Sequence, residues 1–281
     1  MRELIIGIDG GGTKTNLVAV DIQTGLIAAT STVGSIHIST QGEAAALRHL
    51  ELGIAELGLG SADRVAAVSI GDPAIDDCDG DAFGTGHSHM LAEELFYRAG
   101  GLVKVYPILD EPLMLHKNAS RSSQVERLSG YAATLLGNGI SPTGKDTAFI
   151  FSNSGRNAVP VEMALEMKQR GVCTICITNL AQSSRSVSRH ASGLRLFELC
   201  DIVIDNCGCD GDAAMEIGNY RCGPTSTVIG AAVLQAIVCG VAARLQECGM
   251  MPEIFCSSNV DGGDALNHVL IERYRQEIPM L

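Results

Sequence analysis

The sequence predicts an α/β protein whose main body is a parallel sheet covered by helices on both faces. Three observations point there. Helix and strand patterns alternate from residue 84 onward. The strand runs, such as TAFIF and VCTICIT, are short and continuously apolar, as strands buried on both faces require. Polar turns containing glycine stand between strands and helices, at the strand ends where open parallel sheets bind ligands.

A chain of 281 residues with 46% hydrophobic and 19% charged residues has room for one large or two small globular domains. The net charge of -12, without a cluster of Lys and Arg, argues against a nucleic-acid surface. The ten cysteines sit mostly in apolar runs such as GVCTICIT and LQAIVCGVAARL. No signal peptide precedes them, so they read as reduced, buried thiols. Cys173 and Cys176 lie inside a strand pattern with no second CxxC to complete a zinc site. Cys207 and Cys209 beside Asp205, Asp210 and Asp212 suit either mixed metal ligands or an ordinary strand-end loop. The expectation is no metal. The apolar stretch Val228 to Ala243 is interrupted by Gln235 and falls short of the roughly 20 residues that span a bilayer. A cytoplasmic protein without a membrane partner is expected.

In order along the chain, ELIIGID, TNLVAVD and LIAATSTV form three strands of an antiparallel meander. Thr40 and Glu43 have capping-box spacing, and Leu47, Leu50, Ile54 and Leu57 recur at helical intervals until Gly58 and Gly60. The run RVAAVSI has the length of a buried strand. The following GDPAIDDCDGD is acidic and rich in turn formers, so residues 72–84 read as strandless and residues 78–83 as a linker between domains 1–77 and 84–281.

Between the first two strands lies Asp9-Gly10-Gly11-Gly12-Thr13-Lys14-Thr15. Successive glycines let backbone N–H groups approach a phosphate, Thr13 and Thr15 add hydroxyls, and Asp9 is placed to hold Mg²⁺ through water. The same turn would also serve as a ligand-free hairpin. It resembles the first phosphate motif of actin-like ATPases, in particular the BadF/BadG-type and N-acetylglucosamine kinase family, as far as SIGDPAIDD. The resemblance implies a partial ATPase lobe over residues 1–77, with Mg-ATP as cofactor if that fragment works. A lone phosphate turn binds nucleotide poorly, because affinity comes from groups converging on base, ribose and phosphates.

After the linker come a helix at HMLAEELFYRAG, a strand at LVKVYPIL, a helix around SSQVERLSGYAATLL and a strand at TAFIF. Then follow a helix at VPVEMALEMKQRG, strands at VCTICIT and DIVIDN, and a long helix from Thr225. Two turns are rich in donors. Gly84, Thr85, Gly86, His87 and Ser88 precede one helix; Ser152, Asn153, Ser154, Gly155 and Asn157, with Arg156 to supply charge, precede another. A serine-rich helix cap without ligand would have the same composition. The segment GISPTGKD is no P-loop, since Asp146 replaces the Mg²⁺-binding hydroxyl and a strand follows where a helix is needed.

From FGTGHSHMLAEELFYRAGG through SNSGRNAVPVEMALEMKQRG, ITNL, DIVIDN and GPTSTV to NVDGGD, the chain resembles the sugar isomerase (SIS) domain family, most closely its UPF0309 type. The resemblance covers roughly residues 83–278. It implies a flavodoxin-like SIS sheet and a phosphorylated-sugar ligand, an amino sugar in particular. It also implies an aldose-ketose isomerase or ether lyase, no cofactor for this domain, and a homodimer; the small apolar residues of Gly230 to Ala243 suit close helix packing. A non-catalytic phosphosugar sensor and an ATP-dependent sugar kinase are the alternatives.

Proton abstraction beside a sugar carbonyl needs a carboxylate or imidazole. Glu126, in a segment resembling the one that brings an acid to the sugar in SIS proteins, is the first choice. His190 and His116, with the loop residues His87 and His89, are further candidates, although a surface Glu and a capping His would look the same. One feature departs from the family. DDCDGDAF offers only Ala82 and Phe83 as apolar residues where a first core strand is expected. Omitting a central strand costs more than a fold's margin of about 5–15 kcal/mol. RVAAVSI is therefore expected to fill that slot.

Overall fold

The computed structural model describes residues 2–10, 14–21, 23–24, 26–34, 43–60, 63–71, 80–136 and 141–281. It divides into two compact units, Met1–Asp77 and Cys78–Leu281.

In the first unit, β1 (Arg2–Gly10), β2 (Lys14–Asp21) and β3 (Ile27–Gly34) form an antiparallel meander, followed by α1 (Glu43–Glu56) and β4 (Asp63–Gly71). The strand order is β3-β2-β1-β4, with β4 parallel to β1. Leu4, Ile6 and Ile8 of β1 alternate into a core with Leu17, Ala19, Val33 and Leu57. Of the expected helical stripe, Leu50 and Leu57 meet this core while Leu47 and Ile54 are exposed. Thr40 lies outside the described residues, so the expected capping box does too.

The second unit is a five-stranded parallel sheet of order β6-β5-β7-β8-β9. Its strands are β5 (Gly80–Gly84), β6 (Val105–Ile108), β7 (Thr147–Phe151), β8 (Cys173–Thr178) and β9 (Ile202–Asp205). Two sequence expectations are corrected here. Residues 80–84 are a strand rather than linker, and they occupy the central slot that RVAAVSI was expected to fill; RVAAVSI lies in β4, paired with β1. The apolar run was masked by Asp81 and the flanking glycines. Asp81 is buried opposite Tyr106 of β6, whose hydroxyl pKa is raised by burial and by this carboxylate.

Helices α2 (His89–Leu95), α3 (Leu115–Val125), α4 (Tyr131–Leu135) and α5 (Ala158–Gln169) surround the sheet, with α6 (Leu180–Arg185), α7 (Ser226–Glu247) and α8 (Gly263–Tyr274) following. Alternation along the strands divides the core. Phe83, Ile108, Ala148 and Ile150 pack with Val159, Met163 and Met167 of α5 on one face. Ala82, Val105, Phe151 and Ile177 pack with Leu91 and Leu95 of α2 and Leu234 and Val238 of α7 on the other. Burial of Phe83 and Phe151 contributes about 1.5–3 kcal/mol each. The single helix expected around 122–136 is two helices, because Gly130 takes a left-handed conformation with φ 81° between them. A small hairpin of β10 (Ala213–Ile217) and β11 (Tyr220–Pro224) precedes α7.

Helix α7 has 22 residues and is long and apolar enough to cross a membrane by length and composition. Here its Gly230, Leu234 and Val238 are buried in the second unit. A Cβ on Gly230 would lie 2.7 Å from Leu91 Cδ1, so glycine is what lets α7 approach α2 this closely.

Candidate functional site

The sheet reverses its strand order at β5, with β6 on one side and β7 on the other. Such a switch point opens a crevice at the carboxyl ends of the strands. Both donor-rich turns leave from it. After β5 the chain folds back so tightly that a Cβ on Gly84 would stand 2.4 Å from the Ser88 carbonyl oxygen. Gly86 takes φ 57°, and the Ser88 amide donates to the Thr85 carbonyl at 3.0 Å.

After β7, the Ser152 hydroxyl accepts from the Gly155 amide at 3.2 Å, while Gly155 takes φ 57° and its carbonyl accepts from the Leu196 amide at 2.8 Å. Asn153 is fixed by neighbouring strand ends. Its carbonyl accepts from the Asn179 amide at 3.0 Å and the Thr178 hydroxyl at 3.2 Å. Its side-chain oxygen accepts from Asn206 Nδ2 at 2.8 Å. Asn179 caps α6 through Gln182, and its Nδ2 donates to the Gly208 carbonyl at 2.6 Å.

Between these turns lies a small cleft, open to solvent. Ser88, Ser152, Asn153, Asn206, Ser226 and Thr227 supply its polar wall, and Leu91, Phe151 and Ile177 its apolar floor. Ser226 is set by Asp212, whose carboxylate accepts from the Thr225 and Ser226 amides and from the Ser226 hydroxyl at the start of α7. Burial raises the Asp212 pKa, but those bonds outweigh it and hold the group below the usual carboxylate range. Asp212 and Asp205, which accepts from the Leu180 and Cys207 amides, therefore organise loops.

A carboxylate stands next to the two turns. Glu126, the residue that ends α3, accepts from the Thr85 hydroxyl at 2.9 Å through one oxygen and from Asn157 Nδ2 at 2.7 Å through the other. Its carbonyl accepts from the Val159 amide at 3.1 Å, tying it to the start of α5. Burial pushes the Glu126 carboxyl above its usual range, against the opposing Thr85 bond and the charges of Arg127 and Arg189. Arg189 Nη1 donates to Asn157 Oδ1 at 2.8 Å, and the Arg189 amide donates to the Arg156 carbonyl at 2.8 Å.

The expected site residues thus divide into groups. Ser88, Ser152 and Asn153 line the cleft, while Thr85 and Asn157 hold Glu126. Gly84, Gly86 and Gly155 shape the turns. Ser154 and Arg156 are not part of the cleft wall, and His87 is exposed. His89 is buried and its Nδ1 meets the Gly86 carbonyl. Neither remaining histidine pairs with Glu126. His116 is exposed in the first turn of α3, and His190 bonds Ser192 Oγ at 2.8 Å and faces Glu162 Oε1 at 3.6 Å. Asn206, Ser226, Thr227 and Arg189 were missed as site residues; each lies far along the chain from the turns, and only the topology brings them in.

In the first unit, Asp9 and Gly10 pair with Asn16 and Thr15 at the end of the β1–β2 ladder, and Thr15 is fully buried. Gly11, Gly12 and Thr13 lie outside the described residues.

The SIS domain family matches residues 81–179. A UPF0309 protein of Geobacillus thermodenitrificans is 47% identical over 201 residues, which is 71% of this chain and 80% of that protein. The UPF0309 protein lin2794 of Listeria innocua is 44% identical over 201 residues, 71% of this chain and 81% of its own. Among solved structures, that of E. coli CFT073 c3406 aligns over 68% of this chain and 76% of its own, with 15% identity and a TM-score of 0.34. On the strength of its curated relatives, the chain belongs to the UPF0309 protein family.

Proposed function

We propose that the second unit binds a phosphorylated sugar, an amino-sugar phosphate in particular, at the crevice between β5 and β7. The observation that carries this reading is convergence: Ser88, Ser152 and Asn153 face one open cleft while Glu126 is held by the residues that complete both turns. Neutral hydroxyl and amide donors at a helix-opening turn suit a phosphate. The reading is strengthened by the SIS-domain match, since that family's resemblance implies phosphosugar ligands.

As an enzyme, the protein would be an aldose-ketose isomerase or an ether lyase with Glu126 as base. The carboxylate takes the proton from the carbon beside the sugar carbonyl. In isomerisation it returns that proton to the neighbouring carbon while the adjacent hydroxyl proton passes to the former carbonyl oxygen; in ether elimination the electron pair expels the ether oxygen, which leaves as an alcohol with the proton Glu126 removed. A carboxyl raised by burial is better suited than an ordinary one to both taking and giving the proton.

Thermal unfolding with glucosamine 6-phosphate, fructose 6-phosphate, N-acetylmuramic acid 6-phosphate and Mg-ATP tests the reading. A sugar phosphate at about 100 times its dissociation constant stabilises by roughly 2.7 kcal/mol, a shift of several degrees. Insensitivity to every sugar phosphate sinks the reading. Turnover lost in Glu126→Gln with binding retained identifies an enzyme; binding without turnover in either form identifies a sensor. The kinase alternative has less support, because nucleotide needs groups from two lobes and residues 1–77 hold one sheet and one described helix.

The same unit's surface also supports a homodimer. Val228 on α7, Ile202 and Val203 on β9, and Met215, Ile217 and Tyr220 on the hairpin are exposed, the kind of apolar surface a partner subunit covers. Sedimentation should show a dimer that Val228→Asp dissociates; a monomeric wild type removes this proposal.

A further inference from the structure

The two sides of the cleft differ in where the hydroxyl proton is held. After β7, Ser152 Oγ accepts from the Gly155 amide at 3.2 Å, so its own proton remains for an acceptor elsewhere. At the start of α7, Ser226 Oγ donates to Asp212 Oδ2 at 2.6 Å. An ionised carboxylate only accepts, so the serine proton is fixed on Asp212 and Ser226 keeps lone pairs for the cleft it lines. The Thr225 and Ser226 amides bond Asp212 Oδ1 at 2.9 and 2.7 Å and favour the charged form. The side-chain amides of the wall are engaged with their neighbours. Asn206 Nδ2 donates to Asn153 Oδ1 at 2.8 Å, and Asn206 Oδ1 accepts from the Gly208 amide at 2.9 Å.

A phosphate is an acceptor and an anion, and Ser226 with the Asp212 charge behind it is the wrong partner on both counts. The amides that would draw an anion to the start of α7 are already bonded to Asp212. This side of the cleft suits a group that donates hydrogen bonds and carries positive charge. We propose that Ser226, with its proton held by Asp212, is the specificity-determining residue for a free ammonium group on the sugar phosphate, and that Asp212 is its positioning residue. The proposal rests on the phosphosugar reading, which keeps the phosphate on the turns after β5 and β7. The chain holds Asp212 with φ 63°, in the left-handed region that few residues other than glycine, Asn and Asp enter.

Calorimetric binding of glucosamine 6-phosphate and glucose 6-phosphate tests it, since the two differ in an ammonium against a hydroxyl at one carbon. At about pH 6, where an amine is protonated, the wild type should bind the amino sugar about threefold or more tightly. Asp212→Asn reverses the polarity of Ser226 while keeping the shape of the side chain. The amide oxygen keeps the three bonds that Asp212 Oδ1 accepts from Thr225 and Ser226. The amide nitrogen then donates to Ser226 Oγ, and the serine proton turns away from it. Asparagine also tolerates the left-handed backbone. The preference for the amino sugar should disappear or invert in this variant. A merely loosened loop would weaken both sugars alike, so the ratio of the two affinities separates recognition from scaffolding. Ser226→Ala leaves the carboxylate and its amide bonds in place and should cut the preference about twofold or more. If Asp212→Asn does not fold, Ser226→Ala decides alone. Equal affinity for the two sugars in the wild type overturns the proposal, and so does a preference that either substitution leaves unchanged. Equal affinities accompanied by binding of inorganic phosphate remove only this proposal. Failure of both sugars and of phosphate to bind removes the phosphosugar reading as well.

Discussion

The glycine turn of the first unit and the serine turn of the second have the same raw material, small residues and backbone donors at the end of a strand, but the residues described around each are held differently. The described part of the glycine turn is flanked by its own two strands, with Gly10 paired to Thr15 as the ladder ends. The serine turn is held from four distant segments: Ile177 at Ser152, Asn206 at Asn153, Leu196 at Gly155 and Arg189 at Asn157. A local turn is anchored by neighbours in sequence, whereas a site at a topological switch point is assembled from chain segments that meet only after folding. Composition reports the first and is silent on the second.

The largest expected effect comes from breaking the turn held by distant segments. Gly155 has φ 57°, and an added Cβ would lie 2.7 Å from Ser183 Oγ and 3.3 Å from Leu196 Cβ. Gly155→Val combines a left-handed conformation that a β-branched residue resists with overpacking of that contact. It should cost roughly 2–4 kcal/mol and lower the melting temperature of the second unit by about 5–15 °C. Stabilisation by inorganic phosphate should vanish with it. Gly11→Val, in the other turn, should leave sugar-phosphate binding untouched. If the wild type is stabilised by Mg-ATP and Gly11→Val abolishes that shift, the first turn is a working nucleotide site and the contrast between the turns fails.

The same contrast explains what could be read from the sequence. The meander, the helix of residues 43–56 and the strands TAFIF, VCTICIT and DIVIDN were legible because each carries its own periodicity or apolar run. The strand Gly80–Gly84 was not. Its burial comes from neighbours on both sides, β6 and β7, so a five-residue strand with Asp81 and two glycines still takes an interior place in the sheet. Thr85, Ser152 and Asn157 were legible as donors in turns. That Thr85 and Asn157 serve Glu126 while Ser152 faces the cleft was not, because the distinction depends on which way each side chain points after α3 and α5 have packed. His190 misled for a related reason: its neighbours in the folded chain are Ser192 and Glu162, and no local pattern tells a loop histidine which carboxylate it will meet.

A smaller effect sharpens the account of Glu126 itself. Burial raises its pKa in the folded protein, so folding favours the protonated form, and the net result holds although Thr85, Arg127 and Arg189 all favour ionisation. The sign of the linkage follows: stability tied to this group is fully present below the ordinary glutamate pKa and is lost as pH rises through the raised one. Glu126→Gln has nothing to ionise and keeps an oxygen for the Asn157 bond, while Thr85 can turn its hydroxyl to accept. The variant and the wild type should therefore melt together near pH 4, and the variant should melt about 1–3 °C higher near pH 8. The opposite order at pH 8 would mean that the arginines stabilise the carboxylate by more than burial costs it. In that case Glu126 is an ion-pair partner in the loop scaffold, a poor base, and the difference between the two turns would lie in their anchoring alone.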